Sequence, residues 1–358
     1  MADLLVTGGA GFIGANFVRY WRARQPAARI VVLDALTYAG NRANLAGVAN
    51  VILVEGDIRD TARVEGLLHD HDLDTLVHFA AESHVDRSID GPDAFVETNV
   101  QGTHSLLKAA RAVWLDHGAG RPHRFHHVST DEVYGSLEPG DAPFSEATPY
   151  APNSPYAASK AGSDHLVRAY HRTFGLQTTV TNCSNNYGPY QFPEKLIPLF
   201  VINCLTGRPL PIYGDGMHVR DWLHVEDHCR GIELALARGR PGETYNIGGG
   251  EAVPNMRVID AICGEVDAAF ADQPELAARF PAAPAARGGA CASLKTFVTD
   301  RLGHDRRYEI DETRAREELG YVAARSFEAG LAATVRWYLD NESWWRAVLD
   351  GSYRDGAR

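Results

Sequence analysis

Cationic side chains are in short supply: 35 Lys and Arg stand against 46 Asp and Glu, a formal charge of −11. Nucleic acids and anionic membrane surfaces demand a basic face, so neither is an expected partner. An anionic small molecule would have to be held locally by a few arginines and lysines. Cysteine is scarce as well. Cys183, Cys204, Cys229, Cys263 and Cys291 are scattered, odd in number and without any C-x-x-C pair. Neither a disulfide framework nor a zinc site is indicated, no metal is expected, and buried thiols in a reducing cytosol are the simpler reading. Charges interrupt every long apolar run, and no basic stretch precedes the first one. Neither a membrane span nor a secretory signal is therefore expected, which points to a cytoplasmic protein. Internal repeats and heptads are missing too. What remains is a 358-residue chain, 45% apolar and 23% charged, with material for two layered domains.

The first half alternates short β-rich runs with longer helical patterns. Leu4–Val6, Ile30–Leu33, Val51–Val54, Leu76–Phe79 and Phe125–Val128 read as buried strands. Such alternation predicts an α/β fold, a Rossmann-type doubly wound parallel sheet with helices on both faces. From about Asn182 the pattern breaks into Gly- and Pro-rich loops suited to a smaller C-terminal substrate-binding domain. Residues Ala271 to Ser293, rich in Ala, Pro and Gly, read as a surface excursion with little chemistry. Phe327, Leu331, Val335, Tyr338 and Leu339 share one helical face, which predicts core. After Pro92, the stripe Val96, Val100, Thr103, Leu107, Ala110 and Trp114 predicts a helix lying on the sheet.

Thr7-Gly8-Gly9-Ala10-Gly11-Phe12-Ile13-Gly14 follows the first strand and opens a helix. Gly8, Gly11 and Gly14 give a turn, let the backbone approach a pyrophosphate, and allow helix and sheet to pack. The helix N-terminus offers free N–H groups to the phosphates. A Gly-rich turn alone is only a tight connection, but the context adds to it. Asp34 ends the second strand twenty residues after Gly14, where a carboxylate would hold the adenosine ribose hydroxyls and repel a 2′-phosphate. Asp57-Ile58 and Ala80-Ala81-Glu82 lie at the next two strand ends, where such sheets bind ligands. NAD is the expected cofactor.

Pro155 starts a helix carrying Tyr156 and Lys160, and the four-residue spacing puts phenol and ammonium on one face. A free tyrosine, with a pKa of about 10, is a poor base at neutral pH. A nearby lysine and a positive nicotinamide ring would bring that value down, so that the phenolate can accept a proton from an alcohol. Ser129-Thr130-Asp131-Glu132 follows the fifth strand. Ser129 and Thr130 are candidates to hydrogen-bond a reacting hydroxyl. Two adjacent carboxyls in different environments can divide acid and base roles. His126 and His127, just before, read as packing residues.

These motifs closely resemble the dTDP-glucose 4,6-dehydratases of the extended short-chain dehydrogenase/reductase family, over nearly the whole chain. The resemblance includes Ala80–Ser88, Thr130-Asp131-Glu132, Tyr156 with Lys160, Asn182–Tyr190, Phe192–Leu196, Arg220–Leu223 and Val225–His228. It continues through Asp300–Asp305, where Leu302 stands in the position usually held by proline.

The resemblance implies a lyase of deoxysugar biosynthesis acting on dTDP-glucose in three steps. Tyr156 removes the 4-hydroxyl proton as hydride passes to NAD. Glu132 then removes the C5 proton while Asp131 protonates the leaving 6-hydroxyl. The hydride returns to C6, giving a 4-keto-6-deoxy sugar. Phe12, Ile13, Thr37, Thr98 and Asn186 join the implied cofactor contacts. Ser83, Thr130, Asn185, Lys195, Leu196, Arg220, Asn255, Asp300, Arg301 and His304 are implied to line the sugar-nucleotide site, with Pro211, Ile212 and Tyr213 approaching the base. Lys195, Arg220 and Arg301 suit a diphosphate on physical grounds as well. The implied division gives residues 1–181 with 222–250 to the NAD-binding domain and 182–221 with 251–358 to the sugar-nucleotide domain. A homodimer through a four-helix interface, built from the helix after Pro92 and the Tyr156 helix, is also implied. Two alternatives remain open here. One is another sugar-nucleotide enzyme of the same family, a 4-epimerase or a decarboxylase. The other is a non-catalytic NAD-sensing regulator.

Overall fold

The computed structural model of the chain describes every residue except Met1, Ala119, Leu302 and Arg358. The effect of Leu302 lies outside the described residues. Six strands open the fold: β1 (Leu4–Thr7), β2 (Ile30–Asp34), β3 (Val51–Glu55), β4 (Thr75–His78), β5 (Arg124–Thr130) and β6 (Thr178–Cys183). Six more follow: β7 (Asn185–Tyr187), β8 (Leu210–Tyr213), β9 (Val219–His224), β10 (Thr244–Ile247), β11 (Ala252–Pro254) and β12 (Lys295–Val298). The central sheet has the order β10-β6-β5-β4-β1-β2-β3, with every neighbour parallel. The chain moves outward from β1 to β3, crosses back to β4, then moves outward again. That reversal opens a crevice at the strand C-terminal ends between β1 and β4. This is the doubly wound Rossmann-type fold the alternation predicts.

Because strand side chains alternate faces, one apolar run can serve two cores. Leu5, Val31, Leu33, Leu76 and Phe125 pack on one face with Leu106, Leu107, Trp114 and Val167. Leu4, Val6, Ile30, Val32 and Val77 pack on the other with Phe17, Val18, Cys229 and Ile232. A third core binds the C-terminal part together, and Phe327, Leu331, Val335, Tyr338 and Leu339 are all buried in it, as their spacing predicts. Two small sheets, β11-β9-β7 and β12-β8, complete the strands.

Two expectations need correction. The 271–293 segment is no mere surface excursion: Leu276, Phe280, Ala283 and Cys291 are buried in the C-terminal core. Its many small residues hid the two large ones, Leu276 and Phe280, that act as anchors. In the stripe after Pro92, Thr103, Leu107, Ala110 and Trp114 are buried, but Val96 is 48% exposed and Val100 is half-buried. The helix is wound as a π-helix over Val96–Gly102, so that Phe95 and Asn99 turn inward in place of Val96 and Val100. All five cysteines are buried and unpaired. No helix among the described residues is long and apolar enough to cross a membrane.

Candidate active site

The crevice is a cleft of about 510 Å³, floored by the glycine turn and walled by the ends of β2, β4 and β5. Gly8 has φ +70°, and a Cβ there would stand 2.6 Å from the Ala80 nitrogen. At Gly14 a Cβ would meet the Gly8 carbonyl oxygen at 2.3 Å. No side chain larger than hydrogen fits either position. The helix that follows, Phe12–Arg24, has no side-chain cap, so the N–H groups of its first turn face the cleft unclaimed. Asp34 is buried at the end of β2; its oxygens accept from the Ala10 N–H at 2.8 Å and the Leu36 N–H at 2.9 Å. All the other predicted cofactor positions line the same cleft: Gly11, Phe12, Ile13, Thr37, Asp57, Ile58, Ala80, Ala81, Thr98, Tyr156, Lys160 and Asn186. A floor free of side chains, unclaimed helix N–H groups and a carboxylate at the far end fit a dinucleotide diphosphate and its ribose.

β5 ends at Thr130, and a tight turn, Asp131–Tyr134, presents the two acids. The Thr130 hydroxyl caps that turn, accepting from the Glu132 N–H, and contacts Asp131 Oδ1, both at 3.3 Å. The two carboxyls are not equivalent. Burial, with Glu132 and Asp221 nearby, pushes Asp131 well above the usual carboxylate range, and its Oδ2 has no partner. Burial also raises Glu132, but Lys195 and Arg220 oppose that shift. Both carboxyls are raised, Asp131 the further, and Glu132 has more cations favouring its charge.

Ser154 caps the helix Pro155–Phe174, and Pro155 fills its first turn. This brings Tyr156 and Lys160 to the end of β5. The protein's own groups do not by themselves lower the phenol. Burial, then Glu132, holds Tyr156 well above its ordinary value, against a hydrogen bond from Thr130. The Lys160 ammonium instead donates to the Val128 carbonyl at 2.8 Å. Sequence spacing fixes the face of a helix but not the penalty of burial. The other cation expected to lower the phenol belongs to the nicotinamide. Ser129 is also placed differently, because its hydroxyl donates to Asp164 at 2.9 Å rather than standing ready for a substrate.

A second cleft of about 240 Å³ adjoins the first. Ser83, Glu132, Asn185, Glu194 and Lys195 line both. Leu196, Pro211, Tyr213, Arg220, Asn255, Arg301 and His304 line the second. Arg220 is buried under Tyr308, 4.3 Å from the ring centre, and fixed by the Val219 and Asp305 carbonyls at 2.8 Å. The Oδ1 atoms of Asn185 and Asn255 are buried without partners. Two predicted residues stand apart. Ile212 also borders this cleft, but at 1% exposure its side chain belongs to the C-terminal core. Asp300 does not line the cleft; it backs His304, accepting from Nδ1 at 2.6 Å. Sequence reasoning missed several participants. Tyr308 and Glu194 lie in the walls. His218 stacks on His304 at 3.7 Å and contacts Asp300. Asp164 sits behind Lys160, and its only signal was a place four residues further along the same helix.

Residues 5–334 match the family model described as GDP-mannose 4,6 dehydratase. A curated dTDP-glucose 4,6-dehydratase of Xanthomonas campestris pv. campestris is 56% identical over 99% of this chain and 98% of its own length. The chain belongs to the dTDP-glucose 4,6-dehydratase family. A dTDP-glucose 4,6-dehydratase of Streptomyces venezuelae, solved with NAD and TYD bound, is similar at 51% identity and a TM-score of 0.85, covering 97% of this chain and 99% of its own. A UDP-glucose 4-epimerase of Thermotoga maritima, solved with UDP-glucose, shares the fold at 27% identity and a TM-score of 0.81, with 95% and 99% covered. Family members and epimerases thus share one scaffold, and what separates them has to be sought in side chains of the cleft.

Proposed function

We propose that this chain is a hydro-lyase that converts dTDP-glucose to dTDP-4-keto-6-deoxyglucose with NAD as its cofactor. The observation that carries this reading is the split pair Asp131 and Glu132 beside Tyr156, since oxidation alone, or epimerisation, needs no elimination acid. NAD in the larger cleft supplies the acceptor for the C4 hydride and its return at C6. Gly8 to Gly14 and the helix start hold its diphosphate, and Asp34 its adenosine ribose. Tyr156 Oη takes the proton of the 4-hydroxyl, with Thr130 bonded to the same phenol and Lys160 behind it. The carbonyl formed at C4 acidifies C5, and the Glu132 carboxylate takes that proton. Asp131, held protonated, gives its proton to the departing 6-oxygen.

Lys195, Arg220 and Arg301 face the diphosphate with charge-assisted donors. Ser83, Asn185 and Asn255 offer polar groups to the sugar, while Pro211 and Tyr213 approach the base. The division of labour follows the chain: 1–181 with 222–250 for NAD, 182–221 with 251–358 for the sugar nucleotide. The exposed Val96 and the neighbouring Tyr156 helix support a homodimer through a four-helix interface, in a cytoplasmic setting. The test is isotopic. Substrate deuterated at C4 should give product deuterated at C6 of the same molecule, with solvent hydrogen at C5. Crossover of label onto a carbon-labelled companion substrate would reject the reading.

A further inference from the structure

Tyr156, Lys160 and Asp164 recur every four residues along the helix Pro155–Phe174, so they share the face turned to β5. Tyr156 is 8% exposed, and Lys160 and Asp164 are each 4% exposed. An ammonium buried this deeply is costly unless an opposite charge stands close. Its one short hydrogen bond goes to a neutral acceptor, the Val128 carbonyl at 2.8 Å. Beyond it lies His127, fully buried on β5. His127 Nε2 is 3.5 Å from Lys160 Nζ and 3.2 Å from Asp164 Oδ1. One ring nitrogen cannot accept from the ammonium and donate to the carboxylate at once. Burial and the nearby lysine keep this ring neutral, so it separates the two charges without adding a third.

We infer that Asp164 is the counter-charge that keeps Lys160 protonated, and through Lys160 a positioning residue for the Tyr156 phenol; this rests on the oxidation step proposed above. Two hydroxyls support the charge of this carboxylate. Its Oδ2 accepts from the Ser129 hydroxyl and the Tyr150 hydroxyl, both at 2.9 Å. Tyr150 in turn accepts from Asn182 Nδ2 at 3.1 Å. Burial raises the Asp164 carboxyl to about 6, with Lys160 and these donors opposing, which leaves it ionised at neutral pH. The other titratable neighbours are few. His78 on β4 faces His127 with ring centres 5.1 Å apart, and it too is held neutral by burial. Cys183 on β6 is kept a thiol by burial. His165 adjoins from the same helix, and Tyr134 and Tyr150 adjoin from the connection after β5. Among these, Asp164 alone is a carboxylate, so the charge on Lys160 depends on it.

Asp164→Asn keeps the shape and removes the charge. Lys160 should then lose its proton at lower pH, and the alkaline limb of C4 oxidation should move down by about one pH unit or more. Tyr150→Phe removes one hydrogen bond and keeps the charge, so its limb should stay in place. Lys160→Arg, which stays protonated, should remove the limb whether or not Asp164 is replaced. A titration without sugar gives a second readout. Phenolate absorbance of the NAD complex, taken as a difference against Tyr156→Phe, should show its midpoint rise in Asp164→Asn. A midpoint that falls or stays, a limb that stays in Asp164→Asn, or one that persists in Lys160→Arg would overturn the inference. Failure of the unmodified protein to oxidise dTDP-glucose would reject the proposed function instead, and the absorbance titration would still decide the role of Asp164.

Discussion

The two ends of the cleft are built from different materials. At the cofactor end the walls are backbone: bare glycines, unclaimed helix N–H groups and one carboxylate pinned by two amides. At the sugar end the walls are long side chains, Arg220, Lys195, Arg301 and Tyr308, delivered by segments far apart in sequence. The first kind of site is set by steric exclusion and tolerates almost no change. The second is set by charge and reach, and it depends on the C-terminal core to hold its parts in place.

The most severe break falls where the ends meet. Tyr156→Phe should lower C4 oxidation by about 10²- to 10⁴-fold, the range of a lost proton acceptor. Asp131→Asn or Glu132→Gln should slow turnover comparably yet still oxidise C4, so single-turnover absorbance would show bound reduced cofactor only in the acid variants. Next in size is the rigid floor. Gly14→Ala should weaken NAD by about ten- to a hundredfold, as overpacking of this kind costs roughly 1–3 kcal/mol, and calorimetry should show sugar-nucleotide binding much less affected. Arg220→Met is the mirror test. It should weaken the sugar nucleotide by about tenfold or more while NAD binding stays within a factor of about two.

Smaller effects sharpen the contrast. Asp34→Ala should narrow the preference for NAD over NADP by about tenfold, read as two titrations of each protein. A last effect, on stability rather than on binding or turnover, lies beneath the sugar end. Asp221 on β9 is raised from 3.8 to about 8 by burial and by Glu312. A carboxyl whose folded value is raised binds its proton more tightly when native, so stability falls as pH rises through that window. Thermal melts should show the unmodified protein losing stability between about pH 4 and 8, and Asp221→Asn, which cannot ionise, losing less of it.

The cofactor end was legible because its signals are local. Gly8, Gly14 and Asp34 announce themselves within one βαβ unit, and period-2 apolar runs predict the sheet. The sugar end was legible only as far as a family resemblance reached, because nothing in the spacing of Lys195, Arg220 and Arg301 says that they converge. What could not be read from the sequence shares a cause. Whether Ser129 faces a substrate or Asp164, whether the Tyr156 phenol lies high or low, and whether Ile212 faces a base or a core all depend on neighbours brought in by tertiary packing. The 271–293 segment was misjudged by composition, since two large side chains among many small ones suffice to anchor it.

The turn Asp131–Tyr134 follows directly from the end of β5, capped by Thr130 and anchored by the buried Val133 and Tyr134. The sheet, the glycine floor and the Tyr156 helix need nothing from its two carboxyls to bind a dinucleotide or take a proton from an alcohol. On the proposed mechanism, oxidation rests on the scaffold and elimination on the two carboxyls of this turn. On that reading, the step that separates this chain from an epimerase of the same fold rests on two side chains rather than on the architecture.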